Sequence, residues 1–214
     1  MFKTLWRKKF IIITLAVLLA FLPMAMTKEA TVLGKTVITA IGLDKQNDEY
    51  IVWTESLIFN FDPFGVPERQ ITTAAASTID EAFEEISLNM GRKLSFSHCS
   101  IILLGSGLED VNLRELLWPF LLKPQLNNRA VLMWTDDDVG DVLQVSVDTG
   151  DVRSAKLQQI AAFNTKDRRR VATTLEELAR SETVHLNVIA IENDGLVNSE
   201  LVIAVGGDGG NKPV

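Results

Sequence analysis

The sequence predicts a single α+β domain, residues 35–205, in which helices flank a mixed β-sheet and an apolar N-terminal segment precedes the domain. Cys99–Leu104 is an apolar run interrupted only by Ser100, which is typical of a strand buried on both faces at the centre of a sheet. Tyr50–Phe61 alternates with a period of two, as a half-buried strand does. Thr78–Met90 carries apolar residues at helical spacing. Together these patterns indicate a sheet covered by helices.

The composition is that of a folded protein, because 47% of the 214 residues are hydrophobic. The formal net charge is −7, but the first 27 residues contain four basic and no acidic residues. The rest of the chain therefore has 17 basic and 28 acidic residues, a net charge of −11. A body this acidic is a poor non-specific binder of nucleic acid or anionic lipid. Cys99 is the single cysteine, which excludes an intrachain disulfide and a cysteine-rich metal site.

The N-terminal segment, residues 1–27, is predicted to be a signal peptide or an uncleaved membrane anchor. Residues 10–26 carry no charge, and the basic cluster Arg7–Lys9 precedes them. That order is typical of a secretory signal, and the length is at the lower end of what spans a bilayer. We expect an anchor, because no pair of small residues at cleavage spacing follows the apolar run. In either case the body is expected on the extracytoplasmic side.

A β-hairpin is predicted to open the domain. Lys35–Asp44 is rich in β-branched residues, as strands are, and a polar five-residue loop, 45–49, connects it to the alternating strand Tyr50–Phe61. Glu55 is the one charged residue on the apolar face of that second strand. After a turn that contains Pro and Gly, Arg69–Thr73 is predicted as a short third strand.

The helix Thr78–Met90 has clear end signals. Thr78 is expected to cap its N-terminus in a capping box with Glu81, and Gly91 is expected to end it. The apolar stripe that should pack on the sheet consists of Ile79, Ala82, Phe83, Ile86 and Met90.

The second half of the chain alternates helices and strands. Helices are predicted at 111–122, 138–145, 151–163 and 173–180, and strands at 128–135, 185–191 and 200–205. Pro119 is expected to kink or end the first of these helices, and Thr173 with Glu176 is predicted to cap the last. Asn193–Gly195 predicts a tight turn between the final strands. Residues 206–214 contain Gly-Gly-Asp-Gly-Gly and predict a flexible tail.

Two acidic or glycine-rich motifs have simple structural explanations. Gly105–Gly107 lies between a strand and a helix, as in a dinucleotide site, but Glu109 and Asp110 stand where a pyrophosphate would bind. We therefore expect a plain turn. Asp136–Asp138 with Asp141 offers ligands to a hard cation, but the spacing is not that of an EF-hand, and helix capping explains these residues.

The pair His98–Cys99 suggests a thiol nucleophile beside a base, but adjacent strand residues point to opposite faces. We expect Cys99 to be buried with a raised pKa and His98 to fix the preceding turn by bonding backbone. The basic run 166–170 is expected to be a solvated linker or a contact for an acidic partner or a lipid headgroup. Its arginines are Arg168, Arg169 and Arg170.

Three stretches resemble the N-terminal region of the C-subunits of spore germination receptors. Thr36–Lys45 resembles that family's first strand, 81–94 its first helix with the Gly-Arg-Lys-Leu exit, and 97–105 its central strand. The resemblance covers roughly residues 35–145 and corresponds to the family's first domain alone. Family members carry a lipid-modified cysteine after the signal; because no cysteine precedes Cys99, we expect the apolar segment to take over the tethering.

The resemblance implies a non-catalytic, membrane-tethered subunit or interaction module of a spore germinant receptor complex, in the cell or spore inner membrane with its body on the extracytoplasmic side. The implied partners are the membrane and other membrane-spanning receptor subunits, without nucleic acid, and a small-molecule germinant would act indirectly. No catalytic residue, cofactor or metal is predicted. Candidate structural or interaction residues are Gly91, Arg92, Lys93, His98, Arg168, Arg169 and Arg170. The alternatives are an exported hydrolase with an unrecognised site and a free-standing extracytoplasmic ligand-binding domain.

Overall fold

A mixed sheet forms the centre of the protein in the computed structural model, which describes residues 35–58, 68–123, 125–144, 155–160, 173–181, 183–192, 195–204 and 212–213. The strands are β1 (Lys35–Gln46), β2 (Glu49–Ile58), β3 (Glu68–Ala76), β4 (Lys93–Ser95), β5 (Ile101–Gly105), β6 (Val131–Thr135), β7 (Thr183–Glu192), β8 (Gly195–Ala204) and β9 (Lys212–Pro213). The helices are α1 (Ile79–Met90), α2 (Leu113–Leu122), α3 (Val139–Gln144), α4 (155–160) and α5 (Leu175–Arg180). This confirms the predicted α+β class.

The sheet is parallel in its middle and antiparallel at both ends. Its strand order is β3-β2-β1-β5-β6-β7-β8-β9. The short strand β4 is not part of this order and pairs with β1. β5 pairs in parallel with β1 and with β6, and β6 pairs in parallel with β7. All five residues of β5 are buried, which confirms the predicted central strand with a start two residues later than the apolar run.

Helices cover both faces of the sheet. Successive residues of β5 point to opposite faces, so Ile102 and Leu104 join a large core with α1, α2 and α5, whereas Ile101 and Leu103 join a smaller core with α3 and α4. A strand that is enclosed from both sides tolerates few polar residues, which explains its continuous apolar run.

The first hairpin is tighter than predicted. β1 and β2 extend to Gln46 and Glu49, and the turn consists of Asn47 and Asp48 alone. Both turn residues have positive φ, 49° and 67°. This is the geometry of a two-residue type I′ turn, which Asn and Asp tolerate, so the predicted five-residue loop was wrong.

β2 is not half-buried as its alternating pattern indicated. Residues 52–56 are buried on both faces, including the Glu55 side chain with 0% exposure. Glu55 Oε1 accepts a hydrogen bond from Arg69 Nε at 2.6 Å, and Glu55 Oε2 accepts one from Thr39 Oγ1 at 2.8 Å. Arg69 also donates to the carbonyl of Leu143 at the end of α3. Partners on β1 and β3 therefore make the buried carboxylate tolerable, and α3 holds one of them, Arg69, in place.

Several helix and strand ends differ from the predicted ones by a residue or more. Thr78 caps α1, accepting from Glu81 N at 3.2 Å, as predicted. The last helix begins at Leu175 with a capping box of Thr174 and Glu177, one residue after the predicted pair. Of the predicted tail 206–214, the structure describes Lys212 and Pro213, which pair with β8. Residues 193 and 194 of the predicted final turn lie outside the described residues, but the pairing of Glu192 with Gly195 agrees with a tight connection.

Candidate interaction surface

An open groove of about 390 Å³ lies between α1, β4 and the end of α2. We call it the α1–β4 groove. Its lining residues are Asp80, Phe83, Glu84, Ser87, Lys93, Leu94, Phe96 and Lys123. It therefore combines two acidic and two basic side chains with an aromatic floor.

Phe83 and Phe96 form that floor, and Phe120 contacts Phe83 beside it. The Phe83 ring makes edge contacts with Phe96 and Phe120, at centroid distances of 4.9 and 5.9 Å. Lys123 Nζ lies 5.1 Å from the Phe83 centroid and 5.6 Å from that of Phe120, and it forms an ion pair with Asp80. A protonated amine over aromatic faces and beside a carboxylate is held by cation–π and ionic attraction. Lys123 thus joins the end of α2 to the start of α1.

Helix α2 presents apolar residues to solvent. Its Leu113, Leu117 and Phe120 are buried, but Trp118 is 48% and Leu122 is 68% exposed. Since residues four apart lie on one helix face, Trp118 and Leu122 form one outward apolar face. Exposed large apolar side chains that lie side by side commonly mark a contact surface, so on this face of α2 a partner would gain burial energy. The third large exposed apolar residue among those described is Leu88 on α1, at 80%.

The Gly-Arg-Lys stretch carries out the chain reversal between α1 and β4. Gly91 has φ 61° and its N–H donates to Leu88 O at 3.0 Å, so it is the helix end predicted from the sequence. Arg92 N donates to Ser87 O at 3.2 Å, and Ser87 Oγ donates to Arg92 O at 2.8 Å. Lys93 then points into the α1–β4 groove. Its role in contact stays a prediction.

His98 and Cys99 have different environments. His98 is exposed, and no hydrogen bond of its imidazole occurs among the described residues, so the predicted bond to backbone is not made there. The turn is closed instead by Cys99 N, which donates to Phe96 O at 3.0 Å. Cys99 is fully buried, and this burial raises the pKa of its thiol to about 12. A neutral, enclosed thiol beside an exposed imidazole does not form a nucleophile–base pair.

The Gly105–Gly107 turn is filled by the protein itself. Gly107 N donates to Asp44 Oδ1 at 2.9 Å, and the same oxygen accepts from Lys45 N at 2.8 Å. A Cβ on Gly105 would stand 2.6 Å from Asp44 Cγ, so only glycine allows this close approach. The carboxylate of Asp44 occupies the place that a phosphate would take, which agrees with the plain turn expected from the sequence.

The acidic cluster near α3 is used in hydrogen bonds. Asp136 accepts from Trp134 Nε1 at 2.9 Å, Asp137 from Ile191 N at 2.7 Å, and Asp138 from Asp141 N at 3.0 Å. The last bond is the predicted N-cap of α3. Within the described residues no group of acidic, histidine or cysteine side chains has the arrangement of a metal site.

Two predicted features fall on residues that the structure does not describe. Arg168, Arg169 and Arg170 lie in 161–172, outside the described residues, as does the N-terminal segment 1–34. In the part of the chain that the structure describes, no helix has the length and apolar character required to cross a membrane. Sequence reasoning did not single out Trp118, Leu122 or Lys123, although the unbroken apolar character of 116–122 was a signal for an unusual helix.

The comparison with known families agrees with the resemblance seen in the sequence. Residues 35–184 match the family described as the spore germination protein N-terminal domain. Because this match covers well over half of the chain, the protein belongs to that family, which indicates a role in spore germination. The match runs from β1 into β7, past the region 35–145 that the resemblance covered. No curated protein and no solved structure matches the chain significantly.

Proposed function

We propose that the protein is a membrane-tethered, non-catalytic subunit of a spore germinant receptor complex that works by contact with membrane-spanning receptor subunits. Family membership gives the germination role. The observation that carries the proposal further is the outward apolar face of α2, where Trp118 and Leu122 stay exposed while the same helix is firmly packed through Leu117 and Phe120.

The chemistry of the described residues favours contact over catalysis. Cys99 is buried with a raised pKa, and the carboxylates of Asp44, Asp137 and Asp138 each accept backbone hydrogen bonds. The α1–β4 groove holds ionisable groups but is open to solvent, and Lys123 and Asp80 neutralise each other there. An enzyme site instead requires a base, a nucleophile and a stabilising group that converge on one point.

The proposed tether is the N-terminal segment. Its uncharged residues 10–26 follow a basic cluster, which favours a body on the extracytoplasmic side of the cell or spore inner membrane. Germinant recognition is then a property of the complex, in which this subunit supports its membrane-embedded partners.

Co-purification from detergent-solubilised spore membranes tests the proposal. The wild-type chain should carry membrane-spanning receptor subunits with it, and a Trp118→Ser/Leu122→Ser double variant should recover less of them at unchanged protein level. Both side chains are exposed, so each change should alter stability only slightly, by about 0.5 kcal/mol. Leu88→Ser, at an 80% exposed apolar residue on α1, is the matched control. A wild-type chain that is recovered without receptor subunits would contradict the proposal.

A further inference from the structure

Strand β3 forms an edge of the sheet. Its one strand partner among the described residues is β2, with which it pairs in antiparallel register along its whole length, from Glu68 opposite Ile58 to Ala76 opposite Tyr50. The register contains no shift. β3 is therefore a long, regular edge.

The side-chain hydrogen bonds of β2 show which backbone groups of β3 face outward. Thr54 Oγ1 donates to Thr72 O at 3.4 Å, and Ser56 Oγ donates to Gln70 O at 3.2 Å. These carbonyls point toward β2, and backbone direction alternates along an antiparallel strand. The outward N–H and C=O groups therefore belong to Arg69, Ile71, Thr73 and Ala75. No backbone hydrogen bond of these four residues to anything beyond β2 occurs in the described part of the chain.

Apart from the inward-turned Arg69, this edge lacks the devices that commonly prevent strand pairing. Natural edges are commonly shortened, bulged, or blocked by proline or lysine, whereas β3 reads Glu-Arg-Gln-Ile-Thr-Thr-Ala-Ala-Ala. Thr73 and Ala75 are exposed and small, so they leave room for an approaching backbone. Arg69 is turned inward by its bonds to Glu55 and Leu143. Within the described part of the chain, the edge is consequently open to another extended segment.

The helix beside this edge supplies negative charge. α1 packs on β2 and β3, and its Asp80 and Glu84 line the α1–β4 groove on the flank nearer α2. At 100° per residue, Glu81 and Glu85 fall on the opposite flank. Because α1 packs on β2 and β3 and its other flank faces the groove, this flank is turned toward the β3 edge. Both are exposed, and neither forms an ion pair within the described residues. A strand added to β3 would lie below two unpaired carboxylates.

We propose that the β3 edge accepts an extended segment of another receptor subunit by β-strand addition, and that this segment carries lysine or arginine. The inference rests on the proposed function, because it takes the partner from the receptor complex. Main-chain hydrogen bonds supply the recognition in this mode of binding. A second copy of this chain fits less well, since antiparallel β3–β3 pairing would bring the Glu81 and Glu85 carboxylates of both copies together.

Thr73→Pro tests the edge directly. It removes an outward N–H and blocks the edge with its ring, while the β2 ladder uses the groups of Thr72 and Ala74. We expect about a tenfold loss of receptor subunits in co-purification, as two or so lost backbone hydrogen bonds would produce. Thr73→Val keeps the N–H and should retain wild-type recovery. Glu81→Lys with Glu85→Lys should also weaken recovery, by charge repulsion.

The outcomes separate the two proposals. If Thr73→Pro recovers receptor subunits as well as the wild type does, strand addition at the β3 edge is overturned but the proposed function is not. A wild-type chain that recovers no receptor subunits would overturn both. A wild-type dimer that Thr73→Pro dissociates would show a second copy at the edge instead. If Thr73→Pro does not fold, hydrogen exchange of the wild-type protein tests the proposal instead. Complex formation should slow the exchange of the backbone amides of Ile71 and Thr73, and unchanged exchange rates would overturn strand addition at the β3 edge.

Discussion

Replacing Phe83 with Ala is expected to lower the free energy of unfolding by about 3–5 kcal/mol. The side chain is 6% exposed, and its ring makes edge contacts with Phe96 and Phe120. Each such aromatic pair contributes about 0.5–1.5 kcal/mol beyond the area it buries. The substitution also removes the aromatic face under Lys123. These losses place the expected value in the upper half of the range.

Denaturant titration of the purified protein, followed by tryptophan fluorescence, measures this change. Glu84→Ala is the matched control, because Glu84 is the next residue of α1 and its side chain is exposed. We expect it to stay within about 0.5 kcal/mol of wild type. Equal losses for the two variants would refute the packing of α1 through Phe83.

Three further predictions concern the glycines, the thiol and the tether. Gly42→Ala should lower the free energy of unfolding by about 1–3 kcal/mol, because its Cβ would overlap Val139. Gly91→Ala, at φ 61° with open space around it, should lower it by about 1 kcal/mol. Denaturant titration measures both, and a larger loss for Gly91→Ala than for Gly42→Ala would contradict this. Burial raises the pKa of Cys99 from 9.0 to about 12, so the stabilisation by its neutral thiol is full below pH 9 and is lost as the pH rises toward 12. Cys99→Ala should flatten this decline in the free energy of unfolding. A decline that is unchanged in the variant would contradict the raised pKa of the thiol. Residues 10–26 should keep the protein in the membrane pellet through carbonate and high-salt washes, since surface charge does not hold an acidic body; a soluble mature form without the segment would contradict the anchor.

Local pattern was sufficient for the elements whose environment is uniform along the chain. β5 is enclosed on both faces, and its apolar run predicted this. α1 has its cap, its buried stripe and its terminal glycine within fourteen residues, so Thr78, Phe83 and Gly91 were all assigned correctly. In each case the local sequence was sufficient to predict the element.

Burial of β2 was not predictable from its alternation. Whether its second face is enclosed depends on α3, which begins more than eighty residues later. Glu55 signalled an irregularity on the apolar face, but its compensation by Arg69 and Thr39 arises only when three strands pair.

The composition of the α1–β4 groove could not be read from local pattern, and the contact role of the residues singled out from the sequence stays a prediction. Lys93 was singled out and does line the α1–β4 groove. The two phenylalanines of the aromatic floor and the adjoining Phe120 come from α1, the turn after β4, and α2, so only the fold brings them together. His98 was assigned a bond to backbone that the fold does not require, because Cys99 N closes the turn itself.

The germination response of spores that carry Cys99→Ser or His98→Ala tests most directly whether the protein acts by contact. Protein level, stability and receptor assembly are measured in the same spores. Contact predicts a normal response per assembled complex for both variants, with a modest loss of stability for Cys99→Ser from its buried hydroxyl and almost none for the exposed His98. A response abolished in either variant at unchanged stability and assembly would show that the residue acts chemically, and would contradict a non-catalytic subunit.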